Sequence, residues 1–293
     1  PIRLLVPFTP GGVTDTSGRV IAEHLGKRLG QNVVVDNKPG ASGNIGTQMV
    51  ATAEPDGYTL VLAFDGTMVI NPNVFDKVPF NTLQDFASVG KIGDAVLILV
   101  THPNSGLKNL RDVIAQSKSR QGGLSYGTSG TGSTPHIAAE LLKQRAGANL
   151  VHIPYKGFGQ GIQDVMTGHV PLIFGGITAS IQLAKSGKLK PIASTGAKRS
   201  QAMPDVPAVA ETLPGFRIEA WYGFMGPAGL PRDIVNKIHA DVGSIMQRPD
   251  FQARVAADGM ELVGGSPESF GRQVAEELKE WGTLIKAAQI KAD

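Results

Sequence analysis

The chain has 293 residues, 28 Lys and Arg against 25 Asp and Glu, and 41% hydrophobic against 18% charged residues, a balance that fits folded globular domains and excludes a disordered chain. No run of Lys and Arg exceeds two residues, so the net charge of +3 leaves no nucleic-acid footprint. The absence of Cys excludes disulfides, thiolate metal sites and a cysteine nucleophile within these residues, no lipidated N-terminal Cys is expected, and no apolar run approaches the roughly 18 residues of a membrane helix.

At about 150 residues per domain the length predicts two domains. The chain opens at Pro1 straight into the strand-like run Ile2–Val6, so a processed segment or a tag is expected to have been removed. Pro7 and Pro10–Gly11–Gly12 close that strand, and Val20, Ile21, Leu25 and Leu29 mark a helix that Thr14 or Asp15 would cap. Asn32–Val35 reads as a second strand, 41–53 as a helix, and Thr59–Phe64 as a third strand. This βαβαβ opening predicts a mostly parallel sheet with helices on both faces.

A second α/β unit follows. Strands are predicted at Ala95–Val100, Leu124–Tyr126, Leu150–Ile153, Val170–Phe174 and Leu189–Ser194, with helices over 107–117 and from His136. A Pro-rich loop, 204–215, leads to a strand over 217–225. Two C-terminal helices carry core-facing stripes, one from Ile234 to Met246 and one through Phe270, Val274, Leu278, Trp281 and Ile285.

Three loops place glycines and hydroxyls at a predicted strand end: FTPGGVTD at 8–15, DGTMVIN at 65–71 and GTSGTGSTPH at 127–136. Helix N-termini offer unpaired N–H groups and partial positive charge, and glycine lets a ligand approach the backbone. Thr9, Thr14, Thr67, Ser129, Thr131 and Ser133 add hydroxyl donors. Such loops make an anion cradle without fixed cations, which suits a carboxylate better than a phosphate. Read plainly, the same loops are ordinary tight turns with Ser or Thr caps.

The catalytic patterns fail one by one. Ser133 follows Gly132 where a P-loop needs Lys, and Pro135 stands where the dinucleotide fingerprint needs its third Gly. GTSGT at 127–131 and GASGN at 40–44 both lack the last Gly of a nucleophile elbow. His152 and His169 have no zinc spacing, and Asp15, Asp56 and Asp205 read as turn or cap residues. No catalytic residue, metal or cofactor is expected.

Taken together, IRLLVPFTPGGVTD, VVVDNKPGASGNIGT, PDGYTL, LSYGTSGTGSTPH, HIPYKG, PDVPAVAE and WYGFMGPAGLP, in this order and spacing, resemble the Bug-type (TctC-like) solute-binding proteins of tripartite tricarboxylate transporters over nearly the whole chain. Asp36, Lys38 and Ser42 depart from the family's usual Glu, Arg and Gly, and Thr128 stands where Ser is common. The resemblance implies an α/β Venus-flytrap fold of two lobes, each a mixed, mostly parallel sheet flanked by helices. Lobe one is expected over 1–100 plus 222–293 and lobe two over 101–221, with hinge strands near 100–103 and 215–222.

It also implies a monomeric periplasmic receptor, exported through a signal peptide, that delivers a small organic carboxylate to a membrane permease. A dicarboxylate, an aromatic acid and an amino acid all remain open as ligand. The family grips one carboxylate at the first and fifth strand loops. That makes Phe8, Thr9, Gly11, Gly12, Thr14 and Asp15 ligand candidates, with Ser129, Gly130, Thr131, Gly132, Ser133 and His136 opposite. Asp65, Gly66 and Thr67 join them, and Tyr155, Gly157, Gly176 and Thr178 follow later strands. Asp65 would meet a ligand amine or cap the next turn, and Lys156 would pair a distal carboxylate or lie on the surface. Among the aromatics near strand ends, Phe64 and Phe174 read as core. A ligand sensor feeding a signalling receptor would carry the same cradle, and a hydrolase using Ser129 or Ser133 with His136 is the third reading.

Overall fold

A computed structural model describes residues 1–8, 10, 13–155, 158–257 and 259–291. The chain forms two compact units, the first built from Pro1–Asp94 with Trp221–Thr283 and the second from Ala95–Ala220 with the chain from Leu284.

The first unit holds β1 (Ile2–Val6), α1 (Val13–Leu29), β2 (Val33–Asn37), α2 (Asn44–Ala51), β3 (Thr59–Phe64), α3 (Asn71–Val74) and the start of β4 (Phe86–Thr101). β1 lies between β2 and β3, parallel to both, because each strand is followed by a crossover that returns the chain in the same direction. Leu4, Leu5, Leu60, Val61 and Leu62 are buried, as are Ile21 and Leu25 on the apolar face of α1 that the helical spacing predicts, and the side chains of Leu4, Val6 and Leu62 lie against Gly18 of that helix. Thr14 and Asp15 lie inside the first turn of α1 instead of capping it.

The predicted helix over 41–53 is shorter than expected. Gly40, Ala41, Ser42 and Gly43 all have positive φ, at 132°, 46°, 55° and 92°, and α2 starts only at Asn44. The turn is forced by close approach: a Cβ on Gly43 would sit 2.6 Å from Thr67 Oγ1. The Ser42 carbonyl accepts from Thr67 Oγ1 at 3.2 Å and Asn71 Nδ2 at 2.9 Å, which ties the turn to the segment after β3. Left-handed backbone costs a non-glycine residue about 1–2 kcal/mol, partly offset by the greater freedom of glycine in the unfolded chain. Ser42→Gly should therefore stabilise the protein by about 0.5–1 kcal/mol in a denaturant titration.

The second unit continues with the rest of β4, α4 (Leu110–Ser119), β5 (Leu124–Thr128), α5 (Thr134–Ala146), β6 (Leu150–Pro154), α6 (Phe158–Met166), β7 (Leu172–Gly176), α7 (Ile177–Lys185) and β8 (Lys190–Ser194). β5 is parallel to β6 and β7, and β7 and β8 run antiparallel to β4. Val96, Ile98, Val100, Ile162, Val165 and Ile173 are part of its core.

The chain then re-enters the first unit along β9 (Glu219–Pro227), which pairs antiparallel with β3. α8 (Arg232–Met246), α9 (Pro249–Ala257), β10 (Met260–Leu262) and α10 (Pro267–Ala287) follow. The last helix crosses to the second unit after Thr283. α9 and β10 are absent from the sequence reading, because nine and three residues give too little periodicity to read. Phe270, Val274 and Trp281 of α10 are buried, as their spacing predicts.

A buried polar network sits where both crossing strands leave the first unit. Lys91 Nζ donates to Asp94 Oδ2 at 2.8 Å and to Gln273 Oε1 at 3.1 Å, and lies 2.7 Å from Asp94 Oδ1 as an ion pair. Gln273 Nε2 and Trp221 Nε1 donate to the two oxygens of Glu277, at 2.8 and 2.6 Å. Asp94 is the last residue of the unit on β4 and Trp221 the first on β9.

Candidate functional site

In the second unit the loop after β5 turns through Gly130 and Gly132, with φ of 134° and 72°, into α5. The helix begins at Thr134, two residues before the expected His136, with Pro135 in its first turn, where a missing N–H costs nothing. Ser133 occupies the cap position but makes no side-chain capping bond. Its Oγ instead donates to the Gly130 carbonyl at 2.7 Å.

The loop amides divide into two groups. Gly130 N–H donates to Thr128 Oγ1 at 3.2 Å and Gly132 N–H to His136 Nδ1 at 3.0 Å, so both are used internally. Among the described residues, the N–H groups and hydroxyls of Ser129 and Thr131 meet no acceptor, and Thr131 is exposed. Glycine therefore shapes this loop, while its neighbours carry the available donors.

Behind the loop, the His136 and His152 rings stack with centroids 3.8 Å apart and planes 15° from parallel. His152 Nε2 lies 2.6 Å from Thr128 Oγ1. Burial pushes both imidazoles down to about 4, with the neighbouring His136 and Lys143 adding to the shift at His152. Glu140 accepts from Lys143 Nζ at 2.8 Å and Tyr126 hydroxyl at 3.1 Å, and lies 3.8 Å from His136 Nε2. Burial pushes the Tyr126 hydroxyl up. His136 thus faces the loop from behind, with both ring nitrogens turned to protein groups.

Tyr155 follows β6 and closes over two glycines. A Cβ on Gly127 or Gly161 would approach its ring to 2.9 or 2.7 Å. Its hydroxyl donates to Asp164 at 2.6 Å, and that bond, after burial, pushes it up to about 12. Gly176, exposed, precedes α7, whose first turn includes the backbone of Thr178. Phe174 is fully buried, as expected of core.

In the first unit, parallel strands bring the ends of β1, β2 and β3 to one edge, where open α/β sheets place ligands. Phe8 packs edge-on against Phe64 with centroids 5.5 Å apart, and Phe64 lies 5.4 Å from Tyr222. Asp15, nearly fully buried, accepts from Asn37 Nδ2 at 2.9 Å and from Arg19 at 2.9 and 3.0 Å. Asn37 Nδ2 also donates to the Phe8 carbonyl at 3.1 Å. Asp15 thereby holds the Phe8 loop in place from behind. Asp65, also buried, makes no capping bond to the π-helical turn Gly66–Ile70 that follows it. Thr67 is buried with its hydroxyl given to Ser42.

Thr9, Gly11, Gly12, Lys156 and Gly157 lie outside the described residues, as does the side chain of Thr178. Trp221 is buried with its Nε1 on Glu277. The sequence reading missed Thr128, His152, Asn37 and Arg19, which hold the two loops. Thr128 and Asn37 end their strands, His152 lies in the middle of β6 and Arg19 in the first helix, and only the folded sheet reveals their partners. Among the described residues, no cluster of three His, Asp or Glu is placed to hold a metal, and no helix is long and apolar enough to cross a membrane.

Residues 18–290 match the family described as tripartite tricarboxylate transporter family receptor. BugT of Bordetella pertussis is 34% identical over 293 residues, covering 99% of this chain and 90% of that protein. A solved periplasmic transporter is 34% identical with a TM-score of 0.85, covering 100% of this chain and 98% of its own. A protein of R. palustris solved with adipate is 33% identical with a TM-score of 0.86, covering 99% and 97%. MatC from Rhodopseudomonas palustris, solved with bound malate, is 28% identical with a TM-score of 0.81, covering 97% and 98%. The chain has the two-lobed α/β fold of periplasmic binding proteins, and it belongs to the tripartite tricarboxylate transporter receptors, a family of solute receptors rather than enzymes.

Proposed function

We propose that the protein is a periplasmic receptor that binds a small organic carboxylate and delivers it to the membrane permease of a tripartite tricarboxylate transporter. The observation that carries this reading is the loop after β5, whose donors at Ser129 and Thr131, amides and hydroxyls, meet no acceptor among the described residues. Such donors suit a carboxylate, directly or through bridging water. Relatives at 33% and 28% identity were solved with adipate and malate, both dicarboxylates.

On this reading Ser129 and Thr131 take one carboxylate, with Gly130, Gly132 and Ser133, whose hydroxyl and N–H both go to the Gly130 carbonyl, shaping the turn. The Phe8–Thr14 segment and Asp65–Thr67 serve the same ligand from lobe one, 1–100 plus 222–293. Tyr155, Gly157, Gly176 and Thr178 complete the wall from lobe two, 101–221. Closure about hinge segments near Val100–Pro103 and Gly215–Tyr222 is driven because only the closed state joins both sets of contacts. The chain passes between its compact units at Asp94, at Trp221 and after Thr283, so one passage falls within the second of these segments and another precedes the first.

Calorimetric titration with adipate, malate, monocarboxylates, aromatic acids and amino acids at pH 7.5 tests this. Saturable binding of at least one acid in the micromolar range, near −8 kcal/mol, is expected. No binding by any of them would contradict the proposal. Preference for an amino acid over its deaminated analogue would assign Asp65 to an amine.

A further inference from the structure

We infer that His136 is a proton-sensitive positioning residue: its neutral Nδ1 holds the Gly132 N–H at 3.0 Å, and a proton at that atom releases the loop after β5 together with the acid bound there. The inference rests on the receptor reading for its effect on ligand, while the hydrogen bond stands independently of it.

A backbone N–H can only donate, so Nδ1 must be the acceptor and the ring must be uncharged there. Protonation would place two N–H groups facing each other across 3.0 Å. The side chain is 7% exposed, so water offers little relief. The groups around it give the charge no full partner. On α5, Glu140 lies 3.8 Å from Nε2 but is already held by Lys143 at 2.8 Å. On β5, Tyr126 hydroxyl donates to the same Glu140 oxygen. On β6, the His152 ring covers the His136 face at 3.8 Å, so a charge on either ring opposes a second on the other. The depressed range of both imidazoles, about 4, agrees with this geometry.

The tie matters because of where it pulls. Gly132 follows Thr131, whose N–H and hydroxyl are uncommitted, and it closes the turn in which Ser133 N–H meets the Gly130 carbonyl at 3.3 Å. Gly132 pinned to α5 fixes the direction of the Thr131 donors. Gly132 released leaves a turn at φ of 134° and 72° with one fewer anchor.

Amide and imidazole resonances of the full chain, followed by NMR from pH 7.5 to 4, provide the test. The His136 ring and the Gly132 amide should shift together, with a midpoint well below the usual 6.5 or so of imidazole. In His136→Asn, whose amide oxygen accepts without titrating, the Gly132 shift should disappear. If that variant does not fold, co-titration in the native chain decides alone. In adipate titrations the native chain should lose about twofold more affinity than His136→Asn at pH 4, where half of the imidazoles carry a proton. Protonation of adipate itself cancels in that comparison. An ordinary midpoint for His136, a Gly132 amide that stays still, or identical pH profiles for the two proteins would overturn the inference. Failure of every acid to bind the native chain at pH 7.5 would instead overturn the receptor reading and leave the co-titration to be judged by itself.

Discussion

Lys91→Met is expected to destabilise the protein by about 3–5 kcal/mol, the largest effect of any single substitution considered. Lys91 and Asp94 are both nearly fully buried, and the ammonium spans both carboxylate oxygens at 2.7 and 2.8 Å. Removing only the cation takes the ammonium from a buried carboxylate that has Glu277 close behind it. Burial already raises Glu277 despite the donors Gln273 and Trp221, and Lys91 opposes that rise. Losing the ammonium should push Glu277 further up. Replacing both partners, as in Lys91→Met with Asp94→Leu, removes the desolvated charges together and should recover most of the loss. Urea unfolding of the two variants separates these outcomes. A single variant that costs less than about 1 kcal/mol would mean that the pair is not buried in solution.

Acid should destabilise the second unit well before ordinary carboxylate titration ends. His136 and His152 are held down to about 4 by burial, whereas an unfolded chain leaves imidazole near 6.5. Between those values the unfolded state binds more protons than the folded one, so stability is fully present above about pH 6.5 and falls as pH drops toward 4. Each pKa unit is worth about 1.4 kcal/mol. With His152 only partly buried and the two rings coupled, the pair accounts for roughly 3–5 kcal/mol. Glu277 acts with the opposite sign. Its raised carboxyl takes up a proton earlier in the folded state, which favours the fold as pH falls. Thermal unfolding across pH 7.5 to 4 should show a declining Tm, with a shallower decline in a His136→Asn/His152→Gln variant. Parallel profiles for the two proteins would locate the acid sensitivity elsewhere.

Much of the fold is legible in the sequence because its strands end on Gly, Pro and Asp while the helices between them keep a 3.6-residue apolar period. Ile21 and Leu25, or Phe270 and Val274, announce buried faces that the structure contains. The loop 127–136 is legible for a similar reason: Gly130 and Gly132 are needed for positive φ, and Pro135 suits only a first helical turn. What sequence does not carry is which polar group spends its hydrogen bonds inside. Asp15 resembles a ligand residue or a cap, yet its carboxylate holds Asn37 and Arg19. Thr67 resembles a ligand hydroxyl, yet it holds the Ser42 carbonyl. His136 stands next to the cradle in sequence, but its partner across the ring, His152, lies on the neighbouring strand. The left-handed turn through Ala41 and Ser42 is equally hidden, since neither residue favours positive φ by itself.

In the proposed function Ser129 and Thr131 offer an acidic guest their main-chain donors without help from basic side chains. A crystal structure grown with whichever dicarboxylate binds tightest tests it most directly. One carboxylate is expected within hydrogen-bond distance of the Ser129 and Thr131 N–H groups, directly or through one water. A carboxylate clamped instead by arginine or lysine side chains, away from this loop, would contradict it.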